Sequence, residues 1–311
     1  MRILFMGTPD FALPTLQALC KSGHEIVGVV TKVDMPKGRG HHMMATPIKL
    51  YAIEKNIPVY QPTTLKGEEF AATLAELDPE MIVVVAFGKI LPRNVLDYPK
   101  YGCVNVHGSL LPEYRGAAPM QRAIIDGKKV TGITTMLMAD GIDTGDMLLK
   151  AEVPINEDDN FEVIHDRLAE CGAKLLIETV EKLEKGEITP EKQDDSLATH
   201  AAKIEKSDCL LDFSKDATVL HNLIRGLSPI PLSFTHTPDG KLLKVVESRV
   251  ADADKTVKAL PGTVLSVGED IKVVCGQGVL ALLTVVPEGK GKMAAADYVR
   301  GRKIAEGDLL S

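Results

Sequence analysis

Asn105 and His107 stand two residues apart at the end of an apolar run, in the stretch "CVNVHGSLLPEYRGAAP" (103–119). In an extended strand, positions i and i+2 face the same side, so an amide and an imidazole are presented together. An imidazole titrates near neutrality and can take or give a proton. A side-chain amide can donate to an oxygen that gains negative charge. The same pair could serve as core polar groups satisfied by the backbone. The residues after His107 favour a functional role, because "SLLP" and "YRGAAP" form a rigid loop leading into a helix, and such loops often carry function. A second stretch, "MADGIDTGDML" (138–148), sets Asp143 between Gly141 and Gly145, where the backbone can turn sharply or approach a ligand closely. A carboxylate there could accept a hydrogen bond from His107 and fix its tautomer. Asp140 and Asp146 are rival partners, and spacing does not choose among the three.

A third segment is basic. "TKVDMPKGRGHHMMATPIK" (31–49) carries Lys32, Lys37, Arg39 and Lys49 with His41 and His42, against only Asp34. Gly38 and Gly40 flank Arg39, which suits a mobile loop presenting cations to a polyanion, although charged runs commonly serve as solvated surface. Two adjacent histidines without Cys or carboxylate neighbours make no recognisable metal site. "GTPDF" (7–11) succeeds the first apolar run but lacks the G-x-G-x-x-G of a dinucleotide fingerprint, and no G-x-x-x-x-G-K-[ST] occurs. Neither NAD nor ATP is therefore expected, and Pro9 suits the first turn of a helix.

These residues need a scaffold. Apolar runs at 2–7, 25–31, 81–87, 102–107, 132–138 and 146–155 read as strands. Helical patterns occupy 11–23, 46–56, 68–77, 116–127 and 160–185. Alternating strands and helices imply an α/β domain with a Rossmann-like, mostly parallel sheet, whose ligands bind beyond the C-terminal ends of the strands. From about 186 the chain turns polar and loses its apolar period, which reads as a linker. One helix (217–227) and short strands at 242–250, 262–268, 271–276 and 279–286 then suggest a small OB-like β-barrel. The expected division is 1–189, a linker 190–206, and 207–311.

Composition sets the outer bounds. A 311-residue chain with 45% hydrophobic and 25% charged residues can build a core in each half. The longest apolar runs, such as Met81 to Phe87, fall far short of the roughly 20 residues of a membrane span. The N-terminus turns polar too early for a signal peptide. Five cysteines at 20, 103, 171, 209 and 275 form no C-x-x-C pair, so neither a disulfide framework nor zinc is expected, and a reduced cytoplasm fits. A net charge of −7 excludes a uniformly basic nucleic-acid binder, leaving RNA contact to local patches. With aromatics at 4% and no Trp, base-stacking platforms are not expected.

"GTPDFA", "KGRG", "NVHGSLLPEYRGAAP" and "GIDTGDML", in this order, closely resemble the methionyl-tRNA formyltransferase family, and the likeness continues into "HNLIRGLSPIP". "HGSLLP" and D-x-G recur throughout enzymes that use 10-formyltetrahydrofolate; the N-terminal run, the Gly-Arg-Gly loop and the second domain are more specific. The resemblance implies a formyltransferase domain and a tRNA-binding β-barrel. Its expected reaction moves a formyl group from 10-formyltetrahydrofolate to the amino group of initiator methionyl-tRNA, with no metal. It makes Asn105, His107 and Asp143 the catalytic trio and has Ser109, Leu110, Leu111 and Pro112 line the folate site. Lys37, Arg39, His41 and His42 would then belong to a tRNA-binding loop. Where the family typically has Pro-Trp-Pro, this chain has Pro229-Ile230-Pro231, where Ile230 could still fill apolar space. Lys290, Lys292, Arg300, Arg302 and Lys303 are candidates for a positive face on the barrel. Rival readings are a folate-dependent enzyme formylating an aminosugar nucleotide or glycinamide ribonucleotide, a hydrolase of the same folate, and a silent folate- or RNA-binding protein.

Overall fold

A computed structural model describes residues 1–37, 42–301 and 303–311; the side chains of Pro36, Lys37 and His42 also lie outside the description. The chain divides into two compact units. The first comprises Met1–Gly116, Val130–Pro154 and His165–His200, and the second Ala117–Lys129, Ile155–Ile164 and Ala201–Ser311.

The first unit is built on a seven-stranded sheet. Its strands are β1 (Arg2–Gly7), β2 (Glu25–Val30), β3 (Val59–Tyr60), β4 (Met81–Val85), β5 (Cys103–His107), β6 (Val130–Leu137) and β7 (Met147–Pro154), in the spatial order β7-β6-β5-β4-β1-β2-β3. The strands from β5 to β3 pair in parallel, as expected of near-continuous apolar runs buried on both faces. Ile3 through Met6 and Met81 through Val83 are fully buried. The antiparallel members are β6 and β7, which add a hairpin beyond β5. One face packs Leu4, Met6, Ile82 and Val84 against Phe70, Leu74 and Leu77 of the helix Glu68–Leu77. On the other, the helix Phe161–Lys185 runs close to the strands at Gly172, where a methyl group would come within 2.9 Å of Val106 Cγ1. That approach fixes β5, the strand that ends in His107.

The segment expected to be a linker is only partly one. Residues up to His200 belong to the first unit, and Gln193 is 5% exposed and fully hydrogen-bonded. A polar chain buried through hydrogen bonds leaves no apolar period to read.

The second unit also departs from a simple cut at residue 207. The helix Pro119–Ile125 belongs to it and packs on the helix Ala217–Leu227, where Gly226 gives Ile125 room: a Cβ there would lie 2.7 Å from Ile125 Cγ1. Buried Arg225 ties this helix to the segment 155–164 through the carbonyls of Asn156 and Asp159, both at 3.0 Å. The strands β8 (Ser233–His236), β9 (Leu242–Asp252), β10 (Val264–Val267), β11 (Ile271–Val274) and β12 (Val279–Pro287) form an antiparallel sheet ordered β8-β9-β12-β11-β10. The C-terminal tail joins its two edges. Leu310 N–H donates to Gly262 at 3.0 Å, while Ser311 and His236 exchange backbone bonds of 2.7 and 3.1 Å. The tail thus satisfies edge groups that an open sheet would expose. Its Leu310 joins the core formed by Leu243, Val273 and Leu280. Ile230, expected to fill apolar space, is instead 71% exposed. No described helix is long and apolar enough to cross a membrane.

Candidate active site

The site is assembled at the C-terminal end of β5. The ladder places Asn105 opposite Met136 of β6 and Val84 of β4, and His107 opposite Thr134. His107 is 6% exposed, whereas Asn105 is half-buried. Among the described residues, the Asn105 amide has no hydrogen-bond partner.

His107 is held from both sides. Its Nε2 lies 3.0 Å from the main-chain oxygen of Tyr114, and its Nδ1 lies 3.6 Å from Oδ1 of Asp143. A carbonyl only accepts, so Nε2 carries the proton and the neutral ring keeps its lone pair on Nδ1. The tautomer is thus set by the Tyr114 carbonyl at 3.0 Å, and Asp143, at 3.6 Å, lies beyond hydrogen-bond range. The Asp143 carboxylate stands at charge–charge range from Nδ1, placed to stabilise a cation formed there. Of the rival acids, Asp140 is paired with Arg93 and Asp146 is exposed.

The turn that carries Asp143 is tightly determined. Asp143 has φ +54 and Gly141 φ +110, both in the region that L side chains rarely adopt. The Gly116 N–H donates to Asp143 Oδ2 at 2.9 Å, fixing one carboxylate oxygen and leaving the other toward His107. Gly145 has no room for a side chain, since a Cβ would fall 1.7 Å from the Leu137 carbonyl. Gln193, which nothing in its local sequence marks, donates to the carbonyls of Asp143 and Gly145 at 2.8 and 2.7 Å.

The loop 109–112 is split in its exposure. Ser109 and Leu111 are buried. The Ser109 hydroxyl donates to the Glu113 carbonyl at 2.6 Å, and Leu111 packs with Met136 and Met147. Leu110 and Pro112 keep part of their surface. Thr134 stitches this loop to β6, donating its hydroxyl to the Ser109 carbonyl and accepting from the Leu111 N–H. No thiol competes as a nucleophile here. Burial pushes the nearby Cys103 thiol up to about 12, so it stays protonated. Among the described residues no group of His, Cys, Asp and Glu could hold a metal ion.

The basic segment contains an antiparallel pair, Met35–Lys37 with His42–Met44. Arg39 and His41 lie outside the described residues, as do the side chains of Lys37 and His42. Lys49, expected to be among the presented cations, is neutralised: its Nζ bonds to Asp34 at 2.6 Å and Gln61 at 2.9 Å. These hydrogen bonds from Lys49 and Gln61 hold the Asp34 carboxyl below its ordinary 3.8. Since the folded value lies under the unfolded one, the stabilisation is complete above the unfolded value and is lost as pH falls through the folded one. The melting temperature of Asp34→Asn is therefore expected to lie below wild type at neutral pH and to converge with it under strongly acidic conditions. A gap that persists unchanged at acidic pH would contradict the pair.

Both units have relatives among known proteins. A family model described as "Formyl transferase" matches residues 1–180, and one described as "Formyl transferase, C-terminal domain" matches 203–303. A methionyl-tRNA formyltransferase of Citrifermentans bemidjiense is 47% identical over 311 residues, covering 100% of this chain and 96% of its own. One of Caldanaerobacter subterraneus subsp. tengcongensis is 47% identical, with 100% of both chains covered. Among solved structures, an N-formyltransferase from Helicobacter canadensis, in complex with folinic acid and dTDP-3-aminofucose, shares the fold. Its TM-score is 0.68 at 18% identity, covering 90% of this chain and 98% of its own. HypX from Aquifex aeolicus, in complex with tetrahydrofolic acid, gives a TM-score of 0.63 at 16% identity, covering 96% of this chain and 47% of its own.

Proposed function

This chain belongs to the methionyl-tRNA formyltransferase family, and from that premise we propose that it formylates the amino group of initiator methionyl-tRNA, with 10-formyltetrahydrofolate as donor. The observation that carries this reading is identity of 47% running through both units. The sugar-enzyme likeness, at 18%, is one of fold alone. Residues of the first unit supply the chemistry, and the second unit contributes tRNA contact.

Transfer requires a neutral amine to attack the formyl carbon, forming a C–N bond and a tetrahedral oxyanion. The bond from that carbon to the folate nitrogen then breaks, and that nitrogen gains a proton. His107 accepts the proton that the attacking amine sheds, on the Nδ1 that the Tyr114 carbonyl leaves unprotonated. Asp143 stabilises the resulting cation. The Asn105 amide, with no partner within the described protein, donates to the oxyanion. The folate lies along the loop 109–112, against the partly exposed Leu110 and Pro112, with Ser109 and Leu111 bracing the loop from inside. The reaction needs no metal.

Lys37, Arg39, His41 and His42 form the tRNA-contacting loop. Lys290, Lys292, Arg300, Arg302 and Lys303 extend the contact on the second unit; Arg302 also lies outside the described residues. Of these, Arg300 is paired with Asp297, and Lys292 stands 3.8 Å from Glu247, so a phosphate must compete with those carboxylates.

The test is formylation of methionyl-initiator tRNA with 10-formyltetrahydrofolate, run beside Arg39→Ala. Transfer by the wild type is expected, with the variant losing efficiency mainly through a higher KM for tRNA. Consumption of the folate with a small amine or water, and none with tRNA, would overturn the substrate.

A further inference from the structure

We propose that Gln193 is a positioning residue that sets how Asp143 faces His107; the proposal rests on reading that pair as the proton-handling part of the site. Gln193 comes from the polar segment after the long helix, and its amide is used completely. Nε2 donates to the carbonyls of Asp143 (2.8 Å) and Gly145 (2.7 Å), and Oε1 accepts from Arg115 Nε (2.9 Å). Only an NH2 can serve two carbonyls, and only an oxygen can accept from a guanidinium, so the amide has one allowed orientation. Arg115 is itself anchored by Asp195 at 2.8 Å.

The consequence is a turn held from two sides by neighbouring residues. Arg115 orients the amide that grips the Asp143 main chain, and Gly116 grips the Asp143 carboxylate at 2.9 Å. Asp143 at φ +54 occupies a backbone region that relaxes unless its surroundings hold it. Without the Gln193 amide, two carbonyls and a guanidinium N–H lose their partner in a site where Gln193 is 5% exposed. The turn would then be free to rotate Oδ1 away from Nδ1. A packing role alone would be met by any side chain of similar volume, whereas a positioning role needs the donors.

Gln193→Met separates the two, because it keeps volume and removes the hydrogen bonds. With both substrates saturating, kcat is expected to fall about ten- to a hundredfold, with both KM values close to wild type. In an Asp143→Asn background the same substitution should cost little more, since it acts through a residue already disabled. The ring resonances of His107, followed by NMR in the folded variant, should move without any turnover being needed. Wild-type kcat in Gln193→Met, or a loss that multiplies with that of Asp143→Asn, would overturn the positioning role. A wild-type enzyme that fails to formylate methionyl-tRNA would overturn the substrate instead. The His107 spectrum would then decide the positioning role: a shift in Gln193→Met supports it, and an unchanged spectrum refutes it.

Discussion

His107→Ala is expected to nearly abolish formyl transfer, with kcat reduced by about two to four orders of magnitude. The size reflects what is lost at one position. His107, at the end of β5, is the group that accepts a proton and becomes a cation within one turnover. Asp143 and the Tyr114 carbonyl would remain, but neither replaces it: one is a carboxylate fixed by Gly116, the other a main-chain acceptor. Folding should survive, since alanine removes the ring and its partners are a carboxylate with another bond and a backbone oxygen. The check is a single-turnover assay with saturating folate and charged tRNA, alongside a melting curve. Binding of folate and tRNA should persist while transfer is lost. Transfer within about tenfold of wild type would place proton handling elsewhere, on substrate or solvent.

Much of this arrangement is legible in the amino-acid sequence. Strands β1, β4 and β5 announce themselves because a parallel strand buried on both faces must be apolar throughout. Asn105 and His107 are conspicuous because they interrupt such a run on one face. Four features are illegible there for identifiable reasons. The partner that sets the His107 tautomer is a backbone carbonyl, at Tyr114, and a backbone acceptor has no residue type to betray it. Gln193 lies fifty residues from the turn it grips, and a buried amide in "EKQDDS" looks like any polar stretch. The helix Pro119–Ile125 comes after the site loop in sequence but buries its face against the helix Ala217–Leu227. No local pattern reveals a partner so distant. The split within 109–112 has the same origin: alternation along a loop depends on neighbours such as Thr134, which sequence does not show.

Asn105→Ala should lower kcat by about two to three orders of magnitude, equivalent to roughly 2.7–4 kcal/mol of transition-state stabilisation. Its KM for folate should change far less, because the amide's target, an oxyanion, exists only after attack. The side chain's surroundings sharpen the contrast with stability. The amide is half-buried and makes no hydrogen bond among the described residues, so deleting it leaves no orphaned partner inside the protein. The melting temperature should move by no more than a surface substitution typically causes, about 0.5 kcal/mol or less in stability. A donor with no partner among the described residues offers little to the fold, which accords with the oxyanion role proposed for it. Asn105→Asp extends the argument. It keeps the shape but presents negative charge to the same oxygen, so its rate should fall at least as far as that of the alanine variant. Steady-state kinetics on the two variants, with melting curves beside them, measure both halves. If Asn105→Ala keeps wild-type kcat, the amide does not stabilise the oxyanion; if it loses rate and stability together, it is a structural side chain.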